Sequence, residues 1–260
     1  VTVLDDDGDT DTVSITVDVR DDGPVAFGEG RVIATVEEDG MSILFGDAGD
    51  LSEGNKEGLD SNADDEASSV VAGSLATLVD TGADTPPSFG LLSDTSGLPT
   101  LFSKGEAVSY SVNPAGDTLT ATAGERTVFT LTVNSNGTWS FDLDDQLDHV
   151  DGLGENFDLI IAADGSSWIS AIDFSPVIAI VDFDGDPAGL PPGSFVIEVQ
   201  DDVPVAANDF DTVAAGQTLI VNATATTGVL SNDKFGADEG APGGVVTGVV
   251  AGAGVPVAGN

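Results

Sequence analysis

Hydrophobic and polar residues alternate along most of this chain, which is the pattern of β-strands with one buried face. The clearest case is TVFTLTVNSNGTWSFDL at 127–143, where two alternating runs flank Asn136 and Gly137. Asn-Gly between alternating runs is a strong signal for a tight hairpin turn. The stretch therefore predicts a β-hairpin whose aromatic and aliphatic residues share one face.

Similar alternation predicts strands in most other parts of the chain, at 13–19, 31–36, 107–112, 177–181, 195–199 and 218–221. Short strands separated by turn signals are typical of sandwiches, so we predict an all-β fold of tandem Ig-like β-sandwich domains. Only residues 64–79 have a pattern that also admits a helix. The polar stretch 46–66 predicts a long loop.

The chain also contains an internal repeat of long period. SITVDVRDDGPVA at 14–26 aligns with SFVIEVQDDVPVA at 194–206, and Ser14 over Ser194 gives an offset of 180 residues. An acidic turn precedes each copy, LDDDGDTD at 4–11 and VDFDGDPAG at 181–189. The turn, the alternating strand and the Asp-Asp-x-Pro-Val-Ala joint occur in the same order both times.

This repeat divides the chain into three predicted parts. Residues 1–23 form the C-terminal end of a preceding repeat, 24–203 one complete repeat unit, and 204–260 the N-terminal part of a following domain. The chain begins in mid-pattern without a leader, as expected of a segment of a longer protein.

The net charge of the chain indicates which classes of ligand it can bind. It carries 46 acidic and 6 basic residues, a formal net charge of −40. Phosphates of nucleic acid and of anionic membranes would be repelled, so we expect cations as ligands, with no nucleic acid and no membrane insertion. The absence of cysteine excludes disulfides and thiolate metal sites.

The two acidic turns are the first candidate metal sites. A glycine in each lets the chain curl so that carboxylates converge on one point. Calcium takes six to eight oxygen ligands in irregular geometry and suits such a turn better than magnesium or zinc. The pattern is not a complete EF-hand loop, and a plain hairpin turn with solvated aspartates remains the alternative. The candidate ligands are Asp5, Asp7, Asp9 and, less centrally, Asp11 in the first turn, and Asp182, Asp184 and Asp186 in the second.

The two joints are the second set of candidates. Asp21 and Asp22 stand just before one domain boundary, and Asp201 and Asp202 just before the next. Asn208 and Asp209 follow the second boundary. Carboxylates gathered from both sides of a boundary repel each other unless a cation bridges them, and a bridged joint is stiff. The alternative is a solvated acidic linker whose direction is set by proline.

Catalytic signals are weak. His149 is the only histidine and has no recognisable nucleophile elbow near it, so a satisfied or exposed structural histidine is the simpler interpretation. Trp139 and Trp168 could form a sugar-stacking platform, although the hairpin position of Trp139 favours the core. We predict that the chain is not an enzyme.

Several of these segments together resemble a known family. GERTVFTLTVNSNGTWSFDLDDQLDH, then VDFDGDP, then FVIEVQDDVP are similar to the type I secretion target repeats of RTX adhesins, very large bacterial surface proteins. ATVEEDGM at 34–41 resembles the start of such a repeat. VPVAANDFDTVAAGQTLIVNATATTGVLSNDKFG at 203–236 resembles the opening of a cadherin-like or Ig-like extender domain.

The resemblance implies secretion to the bacterial cell surface, calcium-dependent rigidity and a spacer role in cell adhesion or biofilm formation. The implied partners are neighbouring repeats of the same chain, with a cell-surface or matrix ligand bound through other domains. Two alternatives stay open: a carbohydrate-binding module or accessory domain of an extracellular hydrolase, and an exported β-protein whose acidity is a halophilic adaptation without a specific metal site.

Overall fold

The structure is a computed structural model of the chain. It describes residues 1–43, 49–55, 68–152, 154–212, 214–218, 220–221 and 228–238, together with the backbone of two short strands near the C-terminus, 248–249 and 257–258.

Regular structure in the described residues consists of β-strands and three single 3₁₀ turns, with no α-helix. The 3₁₀ turns are Glu38–Gly40, Ala76–Leu78 and Ser175–Val177. The predicted all-β class is therefore confirmed. The strands are β1 (Thr2–Leu4), β2 (Thr10–Thr12), β3 (Val25–Ala26), β4 (Val32–Glu37), β5 (Val70–Ser74), β6 (Val79–Asp80), β7 (Ser88–Leu91), β8 (Phe102–Ser103), β9 (Glu106–Val112), β10 (Thr118–Ala123), β11 (Arg126–Val133), β12 (Thr138–Leu143), β13 (Leu159–Ile160), β14 (Trp168–Ile169), β15 (Ile172–Asp173), β16 (Ile178–Val181), β17 (Pro187–Ala188), β18 (Phe195–Gln200), β19 (Gly248–Val249) and β20 (Val257–Ala258).

The largest sheet has six strands in the order β5-β12-β11-β10-β9-β8, and every neighbouring pair in it is antiparallel. The hairpin predicted at 127–143 is its β11–β12 pair, in which Val133 lies opposite Trp139. Gly137 in the connecting turn has φ +83°, a left-handed conformation that glycine adopts without strain. The alternating sequence thus became the centre of the main sheet.

Two three-stranded sheets, β15-β18-β4 and β17-β16-β7, contribute further strands to the same core. β18 runs parallel to β4, and Phe195 pairs with Val32 at the start of their register. This parallel pairing joins the beginning of the predicted unit 24–203 to its end, because β4 and β18 lie near its opposite ends. The remaining pairs are β1–β2, β3–β6, β13–β14 and β19–β20.

A chain of aromatic rings fills the space between the main sheet and the strands opposite it. Phe129 and Phe141 of the main sheet have ring centroids 4.8 Å apart, and Phe174 lies 6.0 Å from each of them. Trp139 packs against Phe195 at 4.9 Å. The sheets therefore form a sandwich with a continuous core, and fully burying each such ring contributes about 1.5–3 kcal/mol.

Two strand predictions from the sequence were wrong. Residues 13–19 form no strand, and Val19 is 90% exposed. Their counterpart β18 is held between β4 and β15, whereas among the described residues only Val13 of this segment is paired, through backbone hydrogen bonds with Val1, and 14–19 have no strand beside them. The described part of 218–221 is also without a strand. At 64–79, where the pattern also admitted a helix, the described residues contain β5, a 3₁₀ turn and the first residue of β6.

The loop expected at 46–66 is only partly described. Residues 49–55 have no regular secondary structure, as predicted, but Asp50, Ser52 and Asn55 are buried. The rest of the stretch lies outside the described residues. No helix in the described residues is long and apolar enough to cross a bilayer.

Truncating a ring at the centre of this core should destabilise the sandwich. We expect Phe129→Ala to lower the free energy of unfolding by about 3–5 kcal/mol, because it leaves a cavity among fully buried rings. The same truncation at Phe210, which is 93% exposed, should change it by less than about 0.5 kcal/mol. Urea unfolding followed by circular dichroism measures both. Equal effects would mean that Phe129 is not a core residue.

Candidate metal centres at the domain joints

The first acidic turn connects β1 to β2 and brings its predicted ligands together. The Oδ1 atom of Asp5 accepts a hydrogen bond of 2.7 Å from the N–H of Asp9, and Gly8 between them has φ +99°. Carboxylate oxygens of Asp5, Asp7 and Asp9 lie within 4.8 Å of one another, and all three residues are exposed. Asp11 is not in this group, and its Oδ1 accepts from the N–H of Thr12.

The second acidic turn, between β16 and β17, repeats this geometry. The Oδ1 atom of Asp182 accepts hydrogen bonds from the N–H groups of Gly185 at 3.0 Å and of Asp186 at 2.8 Å. Gly185 has φ +109°. The backbone bond from Asp182 to Asp186, 3.1 Å, matches the bond from Asp5 to Asp9, 2.9 Å.

The surroundings of the second turn differ from those of the first, because it meets the first joint. Oxygens of Asp21, Asp184 and Asp186 lie within 4.8 Å of one another. Oxygens of Asp84, Asp182 and Asp184 form a second such group. The two sets of candidates that the sequence placed apart, turn and joint, thus form one cluster. We call Asp21, Asp84, Asp182, Asp184 and Asp186 the first-joint cluster.

One oxygen of the first-joint cluster is buried without a partner. Asp182 is only 3% exposed, and its Oδ2 atom has no hydrogen-bond partner among the described residues. No lysine or arginine of the described chain forms an ion pair with the cluster. A buried carboxylate oxygen in that position is unfavourable unless a cation or a proton reaches it.

The close carboxyl groups of the first-joint cluster shift one another's pKa values. The hydrogen bond with Asp182 raises the pKa of Asp184 to about 6, and desolvation and the charge of Asp21 act in the same direction. Desolvation and the charges of Asp21 and Asp182 also raise the pKa of Asp84. Burial would raise the pKa of Asp182 as well, but its N–H hydrogen bonds and its contact with Asp184 lower it overall.

At the second joint, Asp201 meets two buried residues that the sequence did not suggest as ligands. Glu38 and His149 each offer an atom within 4.8 Å of Asp201 and of one another. The Nδ1 atom of His149 lies 3.5 Å from Asp201 Oδ1 and 3.9 Å from Glu38 Oε1. Glu38 Oε1 accepts from the N–H of Leu147, while Glu38 Oε2 and Asp201 Oδ1 have no hydrogen-bond partner among the described residues.

Like charges and burial perturb this second group strongly. Desolvation, followed by the charges of Asp238 and Asp202, raises the pKa of Asp201 to about 8. Desolvation and the charge of Asp238 raise the pKa of Glu38 well above its usual range. Desolvation and the charge of Asp148 raise the pKa of Asp238 to about 6.

The second aspartate of each joint has a different environment from the first. Asp202 is 2% exposed, and its Oδ2 accepts from the backbone N–H groups of Asn55 at 2.9 Å and of Ala237 at 2.8 Å. Its Oδ1 accepts from the Asn55 side chain at 3.0 Å. Asp22 accepts from the N–H of Ala83 at 3.2 Å. Neither residue belongs to the close groups of acidic residues described above.

The two candidates beyond the second joint are exposed. Asp209 belongs to no close group of acidic or histidine residues in the described chain, and the backbone carbonyl of Asn208 accepts from the Asn232 side chain at 3.2 Å. The structure does not bring Asp209 to Asp201. It brings Asp238 there instead.

His149 and the tryptophans have clear structural environments. Both ring nitrogens of His149 contact backbone carbonyls, those of Leu147 at 3.0 Å and Val199 at 3.1 Å, and burial lowers its pKa against the effect of these bonds. Trp139 is 3% exposed and belongs to the core. Trp168 is 53% exposed and contacts no other aromatic ring among the described residues.

Sequence reasoning missed Asp84, Asp238 and Glu38. The first two had a detectable signal, because each ends a Gly-Ala-Asp triplet, at 82–84 and 236–238. Glu38 lies in the EEDG segment that resembles the start of a repeat, but nothing in the sequence distinguishes it from the other acidic residues.

No family model matches this chain, and neither a curated protein nor a solved structure is significantly similar to it.

The raised pKa values predict how stability depends on pH when divalent ions are removed. Carboxyl groups whose pKa is higher in the folded state favour folding at low pH, and that contribution is lost as pH rises through the folded pKa. The groups concerned are Glu38, Asp84, Asp184, Asp201 and Asp238. His149, with a lowered pKa, acts in the opposite direction as a single group.

We therefore expect the melting temperature in chelator to fall between about pH 5 and about pH 8.5. Differential scanning calorimetry at constant ionic strength measures it. A melting temperature that rises over this range would contradict the environments assigned to these carboxyls.

Proposed function

We propose that this chain is a calcium-binding structural extender segment, in which divalent ions at the domain joints hold neighbouring β-domains in a fixed arrangement. The observation that carries the proposal is the first-joint cluster. It combines Asp21, from the end of the preceding repeat, with carboxylates of the complete unit, and it contains a buried Asp182 oxygen without a partner among the described residues.

The electrostatics of this cluster favour a cation. Carboxylates held within 4.8 Å of one another repel each other, and this repulsion grows where water is excluded from between them. Four of the five residues in the cluster have an exposed or half-buried position, so water screens part of this repulsion, but the Asp182 oxygen is removed from water. A divalent ion bound between these carboxylates would attract each of them and so offset their mutual repulsion.

The donor set suits calcium better than other common ions. All five side chains offer only carboxylate oxygens, which are hard ligands, and calcium accepts six to eight of them at about 2.3–2.6 Å in irregular geometry. Magnesium requires a nearly octahedral shell. The N–H hydrogen bonds to Asp182 Oδ1 fix the turn before any ion arrives, so little reorganisation would be needed on binding.

Such an ion would have a mechanical effect. Asp21 lies outside the complete unit, and Asp84, Asp182, Asp184 and Asp186 lie within it. An ion shared between them would resist bending at the joint. A repeated unit with a stiff joint at each end is a spacer, and this agrees with the resemblance to the repeats of secreted bacterial surface adhesins.

The environments of the aromatic residues and of His149 favour this role over catalysis or glycan binding. Both nitrogens of the only histidine face backbone carbonyls, which leaves neither for a reacting proton. Trp139 is in the core, and exposed Trp168 stands without a neighbouring ring in the described chain, so these two tryptophans do not form a common stacking platform.

Calcium should stabilise the folded chain specifically. An ion that binds only the folded state adds about 2.7 kcal/mol at a hundredfold excess over its Kd, so millimolar calcium should raise the melting temperature by several degrees. Asp184→Asn should remove most of the response at the first joint, because Asp184 belongs to both close groups there. Asp94→Asn removes the same charge outside these groups and should leave the response intact.

Sodium chloride at matched ionic strength is the control for general screening. If it raises the melting temperature as much as calcium does, the clusters bind no specific ion and the halophilic interpretation is correct. Calorimetry with and without chelator distinguishes specific calcium binding from general screening.

Calcium should also narrow the range of joint orientations. The chain has no native cysteine, so spin labels can be placed at Thr10→Cys in β2 and Ser111→Cys in β9, both exposed and on opposite sides of the first joint. We expect the distance distribution from pulsed electron resonance to narrow on adding calcium. A Ser111→Cys, Ser167→Cys pair within one unit should not change. Equal widths with and without calcium across the joint would contradict a stiffening role.

A further inference from the structure

At each joint, a short turn of sequence Gly-Ala-Asp donates a backbone hydrogen bond to the second aspartate. At the first joint, Asp22 Oδ2 accepts a hydrogen bond from the N–H of Ala83, in the turn at 82–84. At the second, Asp202 Oδ2 accepts one from the N–H of Ala237, in the turn at 236–238. At both joints, therefore, an aspartate Oδ2 atom accepts a hydrogen bond from the alanine N–H of a Gly-Ala-Asp triplet.

The glycine of each triplet allows this contact. A Cβ atom on Gly82 would lie 1.9 Å from Asp22 Oδ2, and one on Gly236 would lie 2.5 Å from Asp202 Oδ2. Both glycines also have left-handed φ angles, +59° and +77°. Only a residue without a side chain lets the carboxylate approach the backbone here.

Backbone pairing next to the triplet is also the same at both joints. Val25 pairs with Asp80, and Val205 pairs with Lys234, and each partner stands two residues before the glycine. The valine follows the joint proline in both cases. Each contact therefore has two parts, an antiparallel pairing at the valine and a carboxylate bond to the triplet.

The recurrence is not a simple copy of the internal repeat. The two hydrogen-bonded residues are 61 positions apart along the chain at the first joint and 35 at the second. The residues before the triplets also differ, Val79-Asp80-Thr81 in one case and Asp233-Lys234-Phe235 in the other. Two domains of different sequence present the same receiving surface.

We propose that the Gly-Ala-Asp turn and its paired strand residue form a docking site for the Asp-Asp-x-Pro-Val segment that ends any preceding unit, and that this docking needs no metal ion. The proposal goes beyond the calcium-dependent function above. It assigns separate tasks to the two joint aspartates: the first, Asp21 or Asp201, faces the acidic group, and the second, Asp22 or Asp202, is bound by backbone N–H donors.

The second joint shows how tightly the segment is held. Asp202 is clamped between two domains, because Asn55 of the complete unit and Ala237 of the following segment both donate to it. Ala237 is fully buried and packs with the hydrophobic core of the unit. This docking requires only a glycine in the turn and a carboxylate in the segment that binds it. Units of different kinds could therefore follow one another along a single chain.

Hydrogen exchange of the whole chain in excess chelator tests the docking without metal. We expect the Ala237 amide to be protected in the native protein and to exchange roughly tenfold faster or more in Asp202→Ala, since a hydrogen bond to a charged acceptor is lost. Asp209→Ala, an exposed aspartate close to the same joint, should leave that amide unchanged. An unprotected Ala237 amide in the native protein under chelation would overturn the proposal.

A second variant pair tests the glycine, with a different readout. Gly82→Ala should speed exchange at the Ala83 amide and lower the melting temperature more than Gly165→Ala does. Gly165 has a similar φ of +69°, but a Cβ atom added there would have no other atom within 4 Å. Equal effects would show that only backbone strain matters and would overturn the proposal.

These experiments separate the two claims. Amide protection that persists in chelator, in a protein with no calcium response, supports the docking site and rejects the calcium-dependent function. A calcium response accompanied by amide protection only when calcium is present supports the function and rejects metal-independent docking.

Discussion

Mutual repulsion of carboxylates at the two predicted joints is the constraint on which the rest of this structure depends. The first joint gathers five aspartates in two overlapping close groups, and the second places Asp201 beside buried Glu38. Such groups are stable only if protons, ions or hydrogen-bond donors offset the repulsion. The hydrogen bond with Asp182, burial and nearby charges raise the pKa of Asp184, and burial followed by the charges of Asp238 and Asp202 raises that of Asp201.

The few basic residues do not remove the constraint. Arg126 and Lys104 both form ion pairs with Asp145, a fully buried residue within the complete unit. That arrangement stabilises the interior of the unit, where a lone carboxylate would be most costly, and places two of the six cationic side chains away from the first-joint cluster. At the second joint, the donors to Asp202 are uncharged: the backbone N–H groups of Asn55 and Ala237 and the Asn55 side chain.

The sandwich matters to the joints because its strands fix the position of the second acidic turn. β16 and β17 hold the second turn, and the parallel pair of β18 with β4 brings the end of the unit back beside its beginning. A core of interlocking aromatic rings makes that frame rigid. Within this frame, an ion-binding group and a hydrogen-bonded docking turn would act on adjacent aspartates of one joint. The bound ion would make the joint stiff, and the docking turn would fix its position.

The sequence by itself determined several of the strands in 24–203, the hairpin around Gly137 and the internal geometry of both acidic turns, because alternation, Asn-Gly and Asp-x-Asp-Gly-Asp act through neighbouring residues. It did not determine that 14–19 would form no strand, since a strand requires a partner that its own residues do not specify. Only the tertiary structure joined Asp21 to Asp184 and recruited Asp84, Glu38 and Asp238, because these contacts span long stretches of chain. In sequence, the second aspartate of each joint, Asp22 or Asp202, looks equivalent to the first. The fold alone gave them different partners, because it places a backbone N–H beside the second aspartate and other side chains of the close groups beside the first.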